Sequence, residues 1–230
     1  MPITNLSTED VTEIVDQYRK DPKHVELELR LGTFDETTKE FTSGISKKHF
    51  DDIFQDLSKY TGWTDVQKWH VSLDMIYDEN ERGIIEDEKK APLIFNVQNI
   101  RRSTMKGKPG FLYDFRVSLK TERPVLSARD RRVLKVRLKN RQRFIWQNIW
   151  AYDFTITKIA PDLRTALENA STLPCTYEVE IEMLPQAMER FASLTSEDIA
   201  NDLLRKAVAV LQRLPFSSNY IVSPIANNCV

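Results

Sequence analysis

Two segments of this chain alternate residue by residue between apolar and charged side chains. They are Val25-Glu26-Leu27-Glu28-Leu29-Arg30-Leu31 and Tyr177-Glu178-Val179-Glu180-Ile181-Glu182-Met183. Side chains on a strand point to opposite faces in turn, so each segment is predicted to be a strand with one apolar and one ionised face. Such faces are ordinarily solvated and of mixed sign, because opposite charges in register help and like charges hurt. The second segment carries carboxylates alone. Residues two apart on a strand lie about 6–7 Å from each other, and at an effective dielectric near 20 each ionised pair repels by roughly 2 kcal/mol. Were the two strands neighbours, the repulsion among Glu26, Glu28, Glu178, Glu180 and Glu182 would compound unless a cation sat among them.

The 230 residues suffice for one substantial core, and a single domain spanning 1–230 is expected. Apolar runs are far shorter than a spanning helix, and the first residues lack the basic-then-apolar pattern of a secretion signal. The expectation is a soluble intracellular protein with no membrane association. Cys175 and Cys229 form no CxxC pair, and His24, His49 and His70 are scattered singly, so any metal is expected to be held by oxygen. The formal net charge is −1, yet the stretch from Arg101 to Arg143 is strongly basic while the glutamate segments are acidic. A balanced protein of this kind can still hold a local anion site.

Helical spacing marks Ser7 to Tyr18, with Ser7 as cap, and Ser46 to Tyr60, whose stripe of Phe50, Ile53, Phe54, Leu57 and Tyr60 must be buried. Gly32 is expected to close the first glutamate strand, and residues 34–44 to form a hairpin or loop. Strands are expected at His70 to Tyr77, Arg82 to Glu86, Leu93 to Arg102, Phe111 to Glu122, Leu134 to Arg143 and Trp150 to Ile156. Leu134 to Arg143 sets Lys135, Arg137, Lys139, Arg141 and Arg143 on one face. A short helix near Asp162 to Asn169 precedes the second glutamate strand. A terminal helix over 196–213 is capped by Ser196, and the tail from Phe216, rich in Ser, Asn and Pro, is expected to be loosely held.

If the helices cover the apolar faces from outside, the charged faces turn toward one another, and closing the sheet gives a barrel with a polar lumen. About eight strands leave an interior that side chains fill or that admits one small ligand. A flat sheet with helices on one side and its charges in water satisfies the same pattern. Carboxylates without histidine or thiolate select a hard divalent ion such as magnesium or manganese. A file of Arg and Lys at alternate positions suits several phosphate oxygens at once. Together they point to phosphoryl transfer from a polyphosphate, without a Walker-type glycine loop.

Five motifs then stand in order: Glu26-Leu-Glu28-Leu-Arg30, Arg116-Val-Ser118-Leu-Lys-Thr-Glu122-Arg-Pro, Arg137-Leu-Lys139-Asn-Arg141, Asp153-Phe-Thr155 and Glu178-Val-Glu180-Ile-Glu182. In these the chain resembles the metal-dependent RNA 5′-triphosphatases of the triphosphate tunnel metalloenzyme family, found in mRNA capping systems of fungi, protozoa and large DNA viruses. The resemblance implies an α+β fold, an eight-stranded antiparallel tunnel over about residues 25–183 with helices outside. It implies Glu26, Glu28 and Glu182 as ligands of Mg2+ or Mn2+. Glu178 and Glu180 would hold water and neighbouring bases, with Arg30, Ser118, Asp153 and Thr155 in support. Arg82, Lys139 and Arg141 would grip the γ-phosphate, with Arg116, Lys120, Arg137 and Arg143 nearby, and Glu122 would aim the attacking water. Two residues before Asp153, where the family usually has a base, stands Ala151, for which Arg143 would compensate.

The activity implied is removal of the γ-phosphate from the 5′-triphosphate end of RNA in the first step of capping, in the cytoplasm. Guanylyltransferase and methyltransferase activities would lie in the same chain or in a partner, and this chain would be the whole enzyme or the N-terminal domain of a larger one. Two other readings remain open at this point: a phosphatase of inorganic tripolyphosphate or nucleoside triphosphates, and a non-catalytic module binding RNA ends or a capping partner.

Overall fold

The two glutamate strands are neighbours, and their pairing closes the sheet. Numbering strands in chain order, Val25–Phe34 (β1) and Cys175–Met183 (β10) run antiparallel, with Glu28 opposite Glu182 and Arg30 opposite Glu180. The computed structural model describes residues 8–77, 81–86, 93–105, 111–125 and 132–214. Between the glutamate strands come β2 (Phe41–Ser43), β3 (Asp65–Val66), β4 (His70–Ile76), β5 (Glu81–Ile85), β6 (Leu93–Met105), β7 (Asp114–Pro124), β8 (Lys135–Trp146) and β9 (Trp150–Ala160). Hydrogen bonding follows the order β10-β9-β8-β4-β5-β6-β7-β1 and returns to β10, giving a closed antiparallel barrel of eight strands. The short β2 and β3 flank it on β1 and β8.

Helices α1 (Thr8–Tyr18), α2 (Lys47–Ser58) and α5 (Ser196–Leu211) lie outside the barrel, with the short α3 (Leu163–Glu168) and α4 (Ala187–Arg190). The outward residues of the glutamate strands, Leu27, Leu29, Leu31, Val179, Ile181 and Met183, join Phe115, Val117 and Leu119 of β7 in one core with Val11, Ile14 and Val15 of α1 and Ile199, Leu203 and Leu204 of α5. Each such Leu or Ile contributes roughly 1.5–3 kcal/mol by leaving water. Aromatic rings bind α2 to the sheet, Phe50 and Phe54 each meeting Phe154 edge-on with centroids 5.4 and 5.3 Å apart. Under α3 a second cluster gathers Leu73, Met75, Val136 and Ala160. With the apolar faces thus covered from outside, the charged faces line the lumen, and the flat-sheet reading is excluded.

Several boundaries differ from the sequence reading. Gly32 does not close β1, which continues to Phe34 and forms the hairpin with β2. Glycine stands there because a Cβ would come within 2.2 Å of the Thr42 carbonyl oxygen. The cap of α5 is Thr195, not Ser196: the Thr195 hydroxyl accepts from the Asp198 backbone N–H (3.1 Å), and the Asp198 carboxylate accepts from the Thr195 N–H (3.0 Å). Pairing partners satisfy two otherwise orphaned donors, which a hydroxyl at 196 alone would not. A register shift between Asn99 and Arg101 breaks the alternation of β6. Ser7 and the tail from Phe216 lie outside the described residues.

Candidate active site

The lumen has an acidic wall and a basic wall. On the acidic side β1 contributes Glu26, Glu28 and Arg30, β10 contributes Glu178, Glu180 and Glu182, and register sets Glu26 opposite Lys120 and Glu28 opposite Ser118 of β7. On the basic side β8 contributes Arg137, Lys139, Arg141 and Arg143, paired to Asp74, Ser72 and His70 of β4 and to Asp153, Thr155 and Thr157 of β9. A cavity of about 420 Å³ runs between them, lined within by Glu26, Arg30, Asp74, Arg82, Lys120, Glu122, Lys139, Arg141, Arg143 and Glu182.

Ion pairs hold this lining in place. Arg30 bridges Glu28 (2.9 Å) and Glu180 (3.0 Å), and Lys120 pairs with Glu28 from the other side. Arg141 reaches Asp153 (3.1 Å) and Glu180 (3.5 Å) and donates from Nε to Thr155 Oγ1 (3.1 Å). Arg143 grips Asp153 with two donors at 2.7 and 2.6 Å and also pairs with Glu182. Arg143 thereby serves the carboxylates beside Ala151, which lies directly opposite Glu182. Arg82 binds Glu122 at 2.6 Å, and Arg137 binds Glu178 at 3.0 Å.

Of the residues singled out in the sequence, Glu28, Glu178 and Glu180 lie beneath the cavity lining, buried under their partners. Ser118, Asp153 and Thr155 are buried as well. Arg137 and Arg116 sit beyond the cavity, toward the far end of the barrel, Arg116 with its guanidinium 4.8 Å from the Phe41 ring centre. Sequence reasoning missed Asp74, which is 2% exposed and pairs with Lys139 at 2.5 Å and Arg82 at 3.9 Å. Its signal was present in Val71-Ser-Leu73-Asp74-Met75, an alternation like that of the glutamate strands but with one acid and no like-charged neighbour.

Burial in a crowded lumen shifts proton affinities in opposite directions. Burial pushes Glu182 up to about 7 despite Arg143, with Asp153 adding to the rise. Burial and then Glu28 push Glu26 well above the usual carboxylate range, Lys120 opposing. Burial acts the same way on Glu28, but Arg30 and Lys120 outweigh it and hold this carboxyl well below its ordinary value. Burial brings Lys139 down to about 8, Asp74 resisting and Arg137 and Arg141 adding to the fall. Arg116 is lowered by burial and by Arg102 and Arg30.

Glu26 and Glu182 thus flank a fully compensated Glu28 while lacking enough positive charge themselves. A hard divalent cation fits that deficit and that all-oxygen donor set. Among the described residues, no three His, Cys, Asp or Glu side chains already converge closely enough to hold a metal unaided. No helix among the described residues is long and apolar enough to cross a membrane.

A closed barrel that sets carboxylates against a file of Arg and Lys around one cavity defines a tunnel built to handle a polyphosphate. The mRNA triphosphatase family, described as the beta chain of the mRNA capping enzyme, matches residues 45–212, and the chain belongs to it. It is an RNA 5′-triphosphatase of the tunnel fold, a hydrolase of mRNA capping. Among solved structures, S. pombe Pct1 RNA triphosphatase superposes with a TM-score of 0.71 at 16% identity over 93% of this chain and 95% of that one. The same protein in complex with the Spt5 CTD gives 0.67 at 16% identity over 93% and 96%. Mimivirus capping enzyme triphosphatase gives 0.59 at 14% identity over 89% and 96%. At these identities the likeness is one of fold. No curated protein matches the sequence.

Proposed function

We propose that the chain hydrolyses the γ-phosphate of 5′-triphosphate RNA in a metal-dependent reaction, leaving a diphosphate end and orthophosphate. The observation that carries this reading is the pair of under-compensated carboxylates, Glu26 and Glu182, lining one cavity together with Lys139, Arg141 and Arg143. Glu26, Glu28 and Glu182 would hold Mg2+ or Mn2+. When bound, that ion supplies charge neutralisation and polarises a phosphoryl oxygen. Lys139, Arg141 and Arg82 bind the γ-phosphate, with Lys120 and Arg143 along its flanks and Arg116 and Arg137 beyond. Phosphoryl transfer asks little covalent chemistry of the protein, so positioning and charge stabilisation dominate. Water forms its bond to the γ-phosphorus as the bond to the β–γ bridging oxygen breaks, and the diphosphate departs carrying that oxygen.

Glu122 accepts a hydrogen bond from the attacking water while its other oxygen stays on Arg82, which fixes the carboxylate's direction. Glu180 and Glu178 hold Arg30, Arg141 and Arg137 in place. The domain acts as one unit over 1–230, alone or as the N-terminal part of a longer capping enzyme. Its diphosphate product is the substrate a guanylyltransferase requires, followed by a methyltransferase, in the compartment where transcripts are capped.

The test is phosphate release from γ-labelled triphosphate RNA and from ATP, each with Mg2+, Mn2+ or chelator. Metal-dependent release from RNA, absent in folded Glu26→Ala or Glu182→Ala, supports the reading. Release from ATP or tripolyphosphate with no gain from RNA would make this a free-triphosphate phosphatase instead. No release from a folded protein under any condition would reduce it to a binding module.

A further inference from the structure

We infer that the rim of the cavity around Lys23 and Lys68 is the subsite for the RNA chain itself, holding the first phosphodiesters that follow the 5′ triphosphate. This rests on the reaction proposed above and adds to it the direction in which the substrate lies.

The cavity opens at one end of the barrel, where its lining passes from Arg143 and Glu182 to Lys23, His24, Gln67, Lys68 and His70. Lys23 and His24 come from the turn before β1, Gln67 and Lys68 from the link between β3 and β4, and His70 begins β4; all five are exposed. His24 is engaged by Asp21 at 2.7 Å. Lys23 and Lys68 make no ion pair among the described residues, so two ammonium groups stand free at the mouth, with the exposed Glu86 in the same lining. On β8, Lys139 and Arg143 lie on one face four residues apart, about 13 Å along the strand. A triphosphate whose γ end meets Lys139 and Arg82 therefore runs outward past Arg143, and its first nucleoside comes out at this rim. The next phosphates of the chain follow there.

The other end of the barrel is less suited to the role. Arg137 is bound to Glu178 and Arg30 to Glu28 and Glu180, while the Phe41 ring lies over Arg116. Arg102, exposed on β6 opposite Ser118 and outside the cavity lining, donates to Asn99 and provides the control.

Contacts to single-strand phosphates release counterions, each adding about 0.7 to the slope of log affinity against log salt. Two contacts predict that, between 50 and 200 mM salt, wild-type kcat/KM on a ten-nucleotide triphosphate RNA falls about sevenfold more than that of Lys23→Ala/Lys68→Ala. At 50 mM the double variant loses activity on RNA and keeps its activity on ATP. Fluorescence anisotropy of the same labelled RNA in chelator reads the rim without turnover, and there too the variant shows weaker binding and a shallower salt slope. Equal losses on RNA and ATP, no change in RNA binding, or the same selective loss in Arg102→Ala would overturn the assignment. Failure of the proposed reaction looks different: wild type releases no phosphate from either substrate, while the anisotropy difference still decides whether the rim holds RNA.

Discussion

Replacing Glu182 by Gln should stabilise the metal-free protein at alkaline pH. Glu182 is raised from 4.5 to about 7, first by burial and then by Asp153, with Arg143 recovering only part of the cost. Below pH 4.5 both folded and unfolded chains carry the proton. As pH rises toward 7 the unfolded chain ionises while the folded one retains its proton, so stability falls through this window and the loss is complete above it. At ~1.4 kcal/mol per pH unit, the ionised carboxylate costs the fold about 3 kcal/mol at pH 8. Gln keeps the shape and carries no charge, so the variant should melt about 6–12 °C above wild type at pH 8, with no difference at pH 4.5. Millimolar Mn2+ should close the gap by stabilising wild type; at a hundred times its dissociation constant a ligand adds about 2.7 kcal/mol. Calorimetric or circular dichroism melts across pH 4.5–8, with and without Mn2+, read all of this. A variant less stable than wild type at pH 8 would mean that the Arg143 pair outweighs the crowding, and the reasoning from an under-compensated acidic wall would fail.

Lys139 is held near 8, chiefly by burial, so kcat/KM should decline as pH rises through 8 and the free enzyme loses that charge. Asp74→Asn removes the attraction that keeps this ammonium protonated, and the alkaline limb should move to lower pH with activity reduced at pH 8; a pH–rate profile checks both. Thr195→Ala breaks the capping box of α5 and should cost about 1 kcal/mol, a fall in Tm of roughly 2–4 °C, without altering turnover. An unchanged Tm would show that packing of Ile199, Leu203 and Leu204 alone fixes that end of the helix.

The alternation of Val25 to Leu31 and Tyr177 to Met183 carried most of the fold, because a charged face this uniform has few places to go except against an opposite charge. The wide apolar stripe of Phe50, Ile53 and Leu57 supplied the cover that forces such faces inward. Closure was legible only through the five motifs and the family they resemble; the strand pattern alone left a flat sheet open, because whether β1 meets β10 depends on pairing across some 150 residues. Asp74 escaped notice because a lone acid among Val71, Leu73 and Met75 looks like any solvated strand residue until Lys139 is placed beside it. In β6 the shift at Asn99 to Arg101 destroys the two-residue period, so the faces of that strand cannot be read from spacing. The cap of α5 was legible in Thr195-Ser-Glu-Asp198, since the acid three residues on selects Thr195 over Ser196.

The central claim is that the acidic wall is a cation site working on phosphate held by the basic wall. Crystals of the full chain grown or soaked with Mn2+ and measured at an energy where manganese scatters anomalously test it directly. The expected result is one anomalous peak in the lumen against Glu26, Glu28 and Glu182, lost in Glu26→Gln/Glu182→Gln. A lumen without a peak at saturating Mn2+, or a peak unaffected by those substitutions, would contradict it.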